Sequence, residues 1–137
     1  MVCSEDVPFW GDLADTLPAL ERTYLGTDQV RMLETLCAVW PRGVTYPELK
    51  APLASATPTL LLSGEFDPTT PPGYAERAAA GLSNAHHVVA PGQGHGVIAR
   101  GCLPEVVADF VRTGAVSGLA TDCVRRLGAD PFFVDLM

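Results

Sequence analysis

The second half of the chain alternates short, largely apolar runs with helical patterns, and this alternation narrows the possible folds most. Residues 59–63 form a short continuous apolar run, which is typical of a strand buried on both faces, and residues 86–90 are predicted to form the next strand. Between them, the alanine-rich segment 74–82 predicts a short helix, with residues 69–72 supplying a cap and a proline at its start. A strand, a helix and a strand with short links predict a right-handed crossover and a parallel pair of strands.

A second helix is predicted after the glycine-rich turn at residues 91–96. The apolar side chains that recur there at i, i+3, i+4, i+7 and i+8 are Leu103, Val106, Val107, Phe110 and Val111. This spacing predicts an amphipathic helix packed on a core and ending near Gly114. The tail from residue 115 to 137 is weakly patterned, and we expect Phe132 and Phe133 to dock it.

Residues 1–57 carry helical patterns and no convincing strand. A stripe of apolar residues from 27 to 39 predicts a helix capped by Thr27 or Asp28, which ends before Trp40-Pro41. A shorter stripe begins at residue 12 and is interrupted by Pro18, and residues 46–58 form a connecting arm. We therefore divide the chain into 1–57 and 58–137, and we assign it to the α/β class.

Composition limits the classes of function. With 47% hydrophobic and 18% charged residues, the 137-residue chain is expected to fold around a core. The formal charge of −7 argues against nucleic acid as a partner, because neutralising phosphates requires clustered Lys and Arg. No apolar stretch approaches the roughly 20 residues of a membrane span, and the N-terminus has no signal-peptide pattern.

Two residues with the chemistry of a catalytic triad follow the predicted strands. Asp67 stands in the turn after the first strand, and His95 stands in Gly92-Gln93-Gly94-His95-Gly96 after the second. Because parallel strands end at the same edge of a sheet, both side chains are expected there. Histidine suits general-base catalysis at neutral pH, and a carboxylate holds its tautomer. The alternative is that Asp67 only caps a turn and His95 is an exposed loop residue.

The third group of a triad has no motif in this sequence. None of the serines stands in a G-x-S-x-G elbow; they are Ser4, Ser55, Ser63, Ser83 and Ser117. An atypical nucleophile, Ser63 or Cys102, would make the chain a self-sufficient hydrolase. We favour this alternative less, because a serine in a buried strand is usually only a small, satisfied side chain.

Other polar residues receive structural assignments. His86 and His87 point to opposite faces of a strand and lack further ligands, so no metal site is predicted. Glu65 is expected to be a solvated turn residue rather than a second catalytic acid. Glu5 and Asp6, followed by Phe9 and Trp10, could bind a substrate amino group, but a helix-entry turn is the favoured interpretation.

The four cysteines permit three pairings. Cys3–Cys37 with Cys102–Cys123 would suit an exported protein, and four free thiols are the alternative. The residues alone do not decide between them.

Taken together, these segments resemble the C-terminal part of α/β-hydrolase peptidases, in the subgroup of tripeptidyl aminopeptidases and proline iminopeptidases. The resemblance covers essentially the whole chain; it rests on Cys3-Ser4-Glu5-Asp6, Cys37-Ala38-Val39-Trp40-Pro41, residues 61–72, residues 91–96 and Arg100-Gly101-Cys102. It implies a C-terminal βαβα portion of the α/β-hydrolase fold, residues 58–137, preceded by the end of a helical cap. It also implies disulfides, no cofactor, and secretion as is usual in that subgroup.

The resemblance assigns Asp67 as the triad acid and His95 as the general base. The family's nucleophile elbow, oxyanion-hole loop and central strands would all precede Met1. We therefore expect the C-terminal fragment of a serine exopeptidase that releases N-terminal residues or tripeptides and is inactive alone. Its partners would be a peptide, ester or amide substrate in the complete enzyme, and the missing N-terminal half or a second copy. The alternative is a non-catalytic remnant that binds a partner chain.

Overall fold

The computed structural model describes residues 2–132, apart from the side chain of Leu49. The chain divides into two compact units, Met1–Ala51 and Pro52–Met137. The boundary lies in the predicted connecting arm and about six residues before the predicted division. None of the described helices is long and apolar enough to cross a membrane.

The first unit is helical. It contains helices α1 and α2 and three short helical turns: Leu17–Leu20, Asp28–Val39, Val2–Asp6, Val7–Phe9 and Pro47–Lys50. Helix α2 has the predicted bounds, and it ends because Trp40, before a proline, takes an extended conformation. The helix predicted from the stripe at residue 12 is wrong, because α1 begins only at Leu17. Pro18 lies in the first turn of α1, where a missing N–H costs nothing. Cys3 and Cys37 form a disulfide within this unit, with their Cα atoms 5.0 Å apart.

The second unit contains the predicted strand–helix–strand–helix order. Its elements are β1, α3, β2 and α4: Thr59–Gly64, Pro72–Ala79, Ala85–Ala90 and Leu103–Thr113. The strands are parallel, in a register that pairs Thr59 with Ala85 and Gly64 with Ala90. Helix α3 ends earlier than predicted because the backbone of Gly81 and Ser83 hydrogen-bonds to Ser55 instead of continuing the helix.

The core lies on one face of the two-stranded sheet. Its buried members are Val88, Ala90, Val97, Leu103 and Val124, with Leu60 and Leu62 packed against them. Helix α4 contributes Leu103 and Val106 to the buried side and ends at Gly114, which has a φ of 64° as a left-handed cap. Val111 is 75% exposed, so the predicted apolar face of α4 is one position too long.

Strand β1 is less buried than its sequence predicts. The side chains of residues 59–62 are only partly covered. Among the described residues β1 pairs with β2 alone, so its other edge has no neighbouring strand. The prediction of a strand buried on both faces is therefore wrong for β1 within this chain, and its apolar side chains remain partly exposed.

The tail docks through different residues from those predicted. After α4, a helical turn at Asp122–Arg126 is joined to the start of that helix by a disulfide between Cys102 and Cys123, with Cα atoms 6.4 Å apart. Leu127 packs against the core. Phe132 is 91% exposed and does not dock, while Phe133 lies outside the described residues.

Candidate active site

Two loops leave the sheet at the carboxyl ends of its strands, one after each strand. Because the parallel register ends with Gly64 opposite Ala90, the loop carrying Asp67 and the loop carrying His95 begin side by side. Parallel strands direct such loops to one edge, where sites in open α/β sheets are built. The structure therefore brings together the two residues that the sequence predicted as site residues.

The pair is joined by a hydrogen bond. His95 Nδ1 lies 2.9 Å from Asp67 Oδ2, and this is also an ion pair whenever the imidazole is protonated. The Asp67 side chain is buried, while the His95 side chain is 59% exposed. A buried carboxylate holding one nitrogen of an exposed imidazole is the arrangement that fixes the tautomer and leaves the second nitrogen available for proton transfer.

Donors surround the Asp67 carboxylate. Oδ1 accepts the backbone N–H groups of Thr69 and Thr70 at 2.8 and 2.9 Å, and Oδ2 accepts the Thr70 hydroxyl at 2.9 Å. Burial raises the pKa of Asp67, but the bonds from Thr70, His95 and Thr69 to its charged form outweigh that effect. Together they hold its pKa well below the ordinary range. Asp67 is thus kept as a carboxylate facing the histidine.

Thr70 is a site residue that the sequence interpretation missed. Its hydroxyl oxygen lies 3.3 Å from His95 Nδ1 as well as contacting Asp67. Residues 69–72 were expected to cap α3, but the helix begins after Pro71 with no side-chain cap bond. A threonine three residues after an aspartate in a turn was the available signal.

The two loops are tied to each other by backbone bonds. Phe66 N–H donates to Gln93 O at 2.9 Å, and Glu65 N–H donates to Ala90 O at 3.0 Å. Glu65 is exposed as predicted, but its carboxylate also accepts the N–H of Gly92 at 2.8 Å. It is therefore a brace between the loops and not only a solvated turn residue.

Gly64 permits the close approach of these loops. A Cβ at this position would overlap the carbonyl oxygens of Gln93 and Gly94. The absent side chain lets the histidine loop cross directly over the end of β1.

An open cleft of about 350 Å³ lies beside the pair and along β1. Its lining consists of Leu60, Leu62, Gly64, Asp67, Thr70, His95, Gly96, Val97 and Ile98. Apart from Asp67, Thr70 and His95, the side chains that line it are apolar. His95 Nε2 has no hydrogen bond to any residue between 2 and 132.

The atypical nucleophiles do not join this pair. Cys102 is in a disulfide, which removes its thiol and corrects that alternative. Ser63 is buried, and its hydroxyl lies 3.0 Å from Nε2 of His87. Ser63 is therefore a satisfied polar group of the sheet.

The remaining polar candidates stay apart from the site. No cluster of three or more His, Cys, Asp or Glu side chains with metal-binding geometry occurs in the described part of the chain. In the first unit, Asp6 pairs with Lys50 at 3.5 Å, and the Lys50 ammonium lies 5.2 Å from the centre of the Phe9 ring. The Asp6 carboxylate is thus engaged by a cation of its own chain.

Comparison with known proteins places these loops in a family context. A family model described as TAP-like protein, of the α/β-hydrolase type, matches residues 22–123, a span that includes both Asp67 and His95. No curated protein and no solved structure gave a significant match.

Proposed function

Since the chain belongs to the TAP-like family of α/β-hydrolases, we propose that it supplies the acid and the base of a serine-type hydrolase site. Asp67 is the acid and His95 is the general base. The observation that carries this proposal is the 2.9 Å bond between a buried carboxylate and an exposed imidazole at the edge of a parallel sheet.

The geometry supports separate roles for the two residues, proton transfer by His95 and charge stabilisation by Asp67. With Nδ1–H donating to Asp67, the lone pair on His95 Nε2 can accept the proton of an attacking serine hydroxyl. The resulting imidazolium is stabilised by the carboxylate, which stays charged because its pKa is lowered. The imidazolium then returns the proton to the leaving amine or alcohol.

The serine in this proposal comes from polypeptide outside residues 1–137. None of the five serines stands in a nucleophile elbow, and the only candidate within the sheet, Ser63, is engaged by His87. The open edge of β1 and the apolar wall formed by Leu60 and Leu62 support the addition of further strands beside the site.

For the reaction we propose exopeptidase chemistry, the removal of single residues or tripeptides from peptide N-termini. This rests on the resemblance of residues 61–72 and 91–96 to peptidases of that kind. The two disulfides support work in an oxidising compartment, outside the cytoplasm.

The first test is an assay of the chain alone with aminoacyl and tripeptidyl chromogenic amides. We expect no turnover above background, because a base without a nucleophile forms no acyl-enzyme. Turnover that disappears in His95→Ala but persists in His86→Ala would contradict the need for an external serine.

A second candidate function is favoured by β1 itself. An unpaired edge with partly exposed apolar side chains is a template for pairing with another strand, so the chain could act as a binding module without catalysis. Light scattering tests this directly. Self-association, or a complex with a strand-donating partner, supports it; a monodisperse monomer with sharp cooperative unfolding counts against it.

A further inference from the structure

The histidine loop has little rigidity of its own. His95 stands between Gly94 and Gly96, and Gly96 has a φ of 81°. Around either glycine a Cβ would meet no atom within 4 Å, so neighbouring side chains do not fix their backbone by crowding. Glycine adds conformational entropy that other contacts must offset if His95 is to keep one orientation.

Besides the bonds from Glu65 and Phe66, such contacts come from the polypeptide after the last helical turn. The Gln93 side chain is buried, and its amide Nε2 donates a hydrogen bond to the carbonyl oxygen of Gly128. One residue earlier, Gly92 has a φ of 67°, and a Cβ there would overlap the backbone of Gly128 and Ala129. Residues 127–130, here called the strap, thus lie directly on the start of the histidine loop.

The strap is itself anchored to the core. Leu127 packs against the buried cluster, and its N–H donates to Val124 O at 3.0 Å. At the other end, Asp130 lies 3.5 Å from the guanidinium of Arg100. Just upstream, Cys123 is covalently joined to Cys102. The strap is therefore held to the core at its start, by Leu127 and by the disulfide just before it.

Gln93 also connects the strap to the acid loop. Its side chain donates to the strap, while its backbone carbonyl accepts the N–H of Phe66, next to Asp67. Two residues later the chain reaches His95. A single buried residue thus links the strap, the acid loop and the histidine loop.

We propose that Gln93 is a positioning residue and that the strap holds the His95 loop in the orientation that bonds to Asp67. The proposal rests on the proposed function, in which His95 is the base. Gln93 touches no reacting atom and acts through the loop backbone. Without its amide the loop explores other conformations, and the Nδ1–H bond to Asp67 opens more often.

The experiment is NMR of the full chain with ¹⁵N-labelled histidine, following the imidazole of His95 assigned with His95→Ala. The test variant is Gln93→Met, which keeps the length of the side chain and removes the amide. The matched control is Gln29→Met, at the only other glutamine, which is exposed on α2. Amide spectra and thermal unfolding show that each variant is folded.

We expect the Nδ1 proton of His95 to exchange with water roughly three- to tenfold faster in Gln93→Met, as the loss of one buried hydrogen bond implies. The tautomer should become mixed, while Gln29→Met matches the unaltered chain. A lower unfolding temperature with unchanged His95 signals would give Gln93 a structural role alone and overturn the proposal. Absence of an Asp67-bound Nδ1 proton in the unaltered chain would overturn the acid–base pair together with the strap.

A second variant keeps the proposal testable if Gln93→Met does not fold. Gln93→Glu is nearly isosteric, and its carboxylate cannot donate to Gly128 O, whereas its protonated form can. The exchange rate of the His95 Nδ1 proton, divided by that of the unaltered chain at the same pH, should be raised at neutral pH and fall toward one in acid. A ratio of one throughout would overturn the proposal.

Discussion

Asp67 Oδ2 and His95 Nδ1 lie 2.9 Å apart although 28 residues separate them along the chain. The parallel register of β1 and β2 brings them together, because both loops start at the carboxyl ends of adjacent strands. It is maintained by the bonds of Phe66 and Glu65 to the histidine loop. The pair is therefore a product of the strand pairing and of the contacts between the two loops.

The Thr70 hydroxyl should lower the pKa of Asp67. Thr70→Val removes the hydroxyl that donates to Oδ2 while keeping the shape of the side chain, so the pKa should move up toward its ordinary value. Thr70→Ser, the matched control, should keep it low. A carboxyl ¹³C titration measures both, and equal pKa values in the two variants would contradict this account of the carboxylate.

The stability of the fold should depend on pH through Asp67. Its folded pKa is lowered below the ordinary value of 3.8, so the stability it contributes is fully present above that value and is lost as the pH falls toward the folded pKa. The difference in the free energy of unfolding between the unaltered chain and Asp67→Asn should shrink as the pH falls below about 5.

Urea unfolding at a series of pH values measures that difference. The control is Asp109→Asn, an exposed carboxylate on α4 paired with Arg112, for which a small and nearly constant difference is expected. If the Asp67→Asn difference stayed the same down to strong acid, the carboxylate would not be held charged by its neighbours.

Gly64→Ala should separate the loops. The new methyl group would overlap the carbonyl oxygens of Gln93 and Gly94, so the histidine loop must shift, at a cost of about 1–3 kcal/mol. Gly73→Ala, where a Cβ meets only the end of the Arg77 side chain at 4.0 Å, should be neutral or slightly stabilising. Chemical unfolding compares the two, and equal stabilities would mean that the loops do not cross over Gly64.

The disulfide between Cys102 and Cys123 should stabilise the unit Pro52–Met137. It closes a loop with a sequence separation of 21, so replacing both cysteines by serine should cost about 3 kcal/mol. Hydrogen exchange of the α4 amides reports the loss. Free thiols in the unfolded, unreduced chain, or unchanged exchange in the double variant, would be the contrary results.

The sequence predicted the features that depend on local patterns. The helical spacing of α2 and α4 and the short apolar runs of β1 and β2 each have a period or composition typical of one element. The order of acid and histidine after successive strands then placed Asp67 and His95 at a common edge. The sequential pairing of the cysteines was left open by the residues and is found in the structure.

The features that were missed depend on contacts distant in sequence. The bond of Gln93 to Gly128 and the brace from Glu65 to Gly92 leave no periodic signal, because each joins two loops. The burial of β1 was overestimated. Its apolar composition indicates that the strand needs neighbours on both sides, but residues 2–132 cover it only in part. Phe132 was expected to dock because its side chain is large and apolar, but Leu127 is the tail residue that packs against the core.

The central claim, that Asp67 and His95 are the acid and base of a hydrolase, is tested most directly by restoring a nucleophile. The full 137-residue chain would be fused behind the serine-bearing part of an active TAP-like hydrolase, replacing that protein's own C-terminal part, and assayed with aminoacyl and tripeptidyl amides. We expect turnover that is lost in His95→Ala and Asp67→Asn and retained in His86→Ala and Asp109→Asn. A folded fusion whose turnover survives His95→Ala would contradict it.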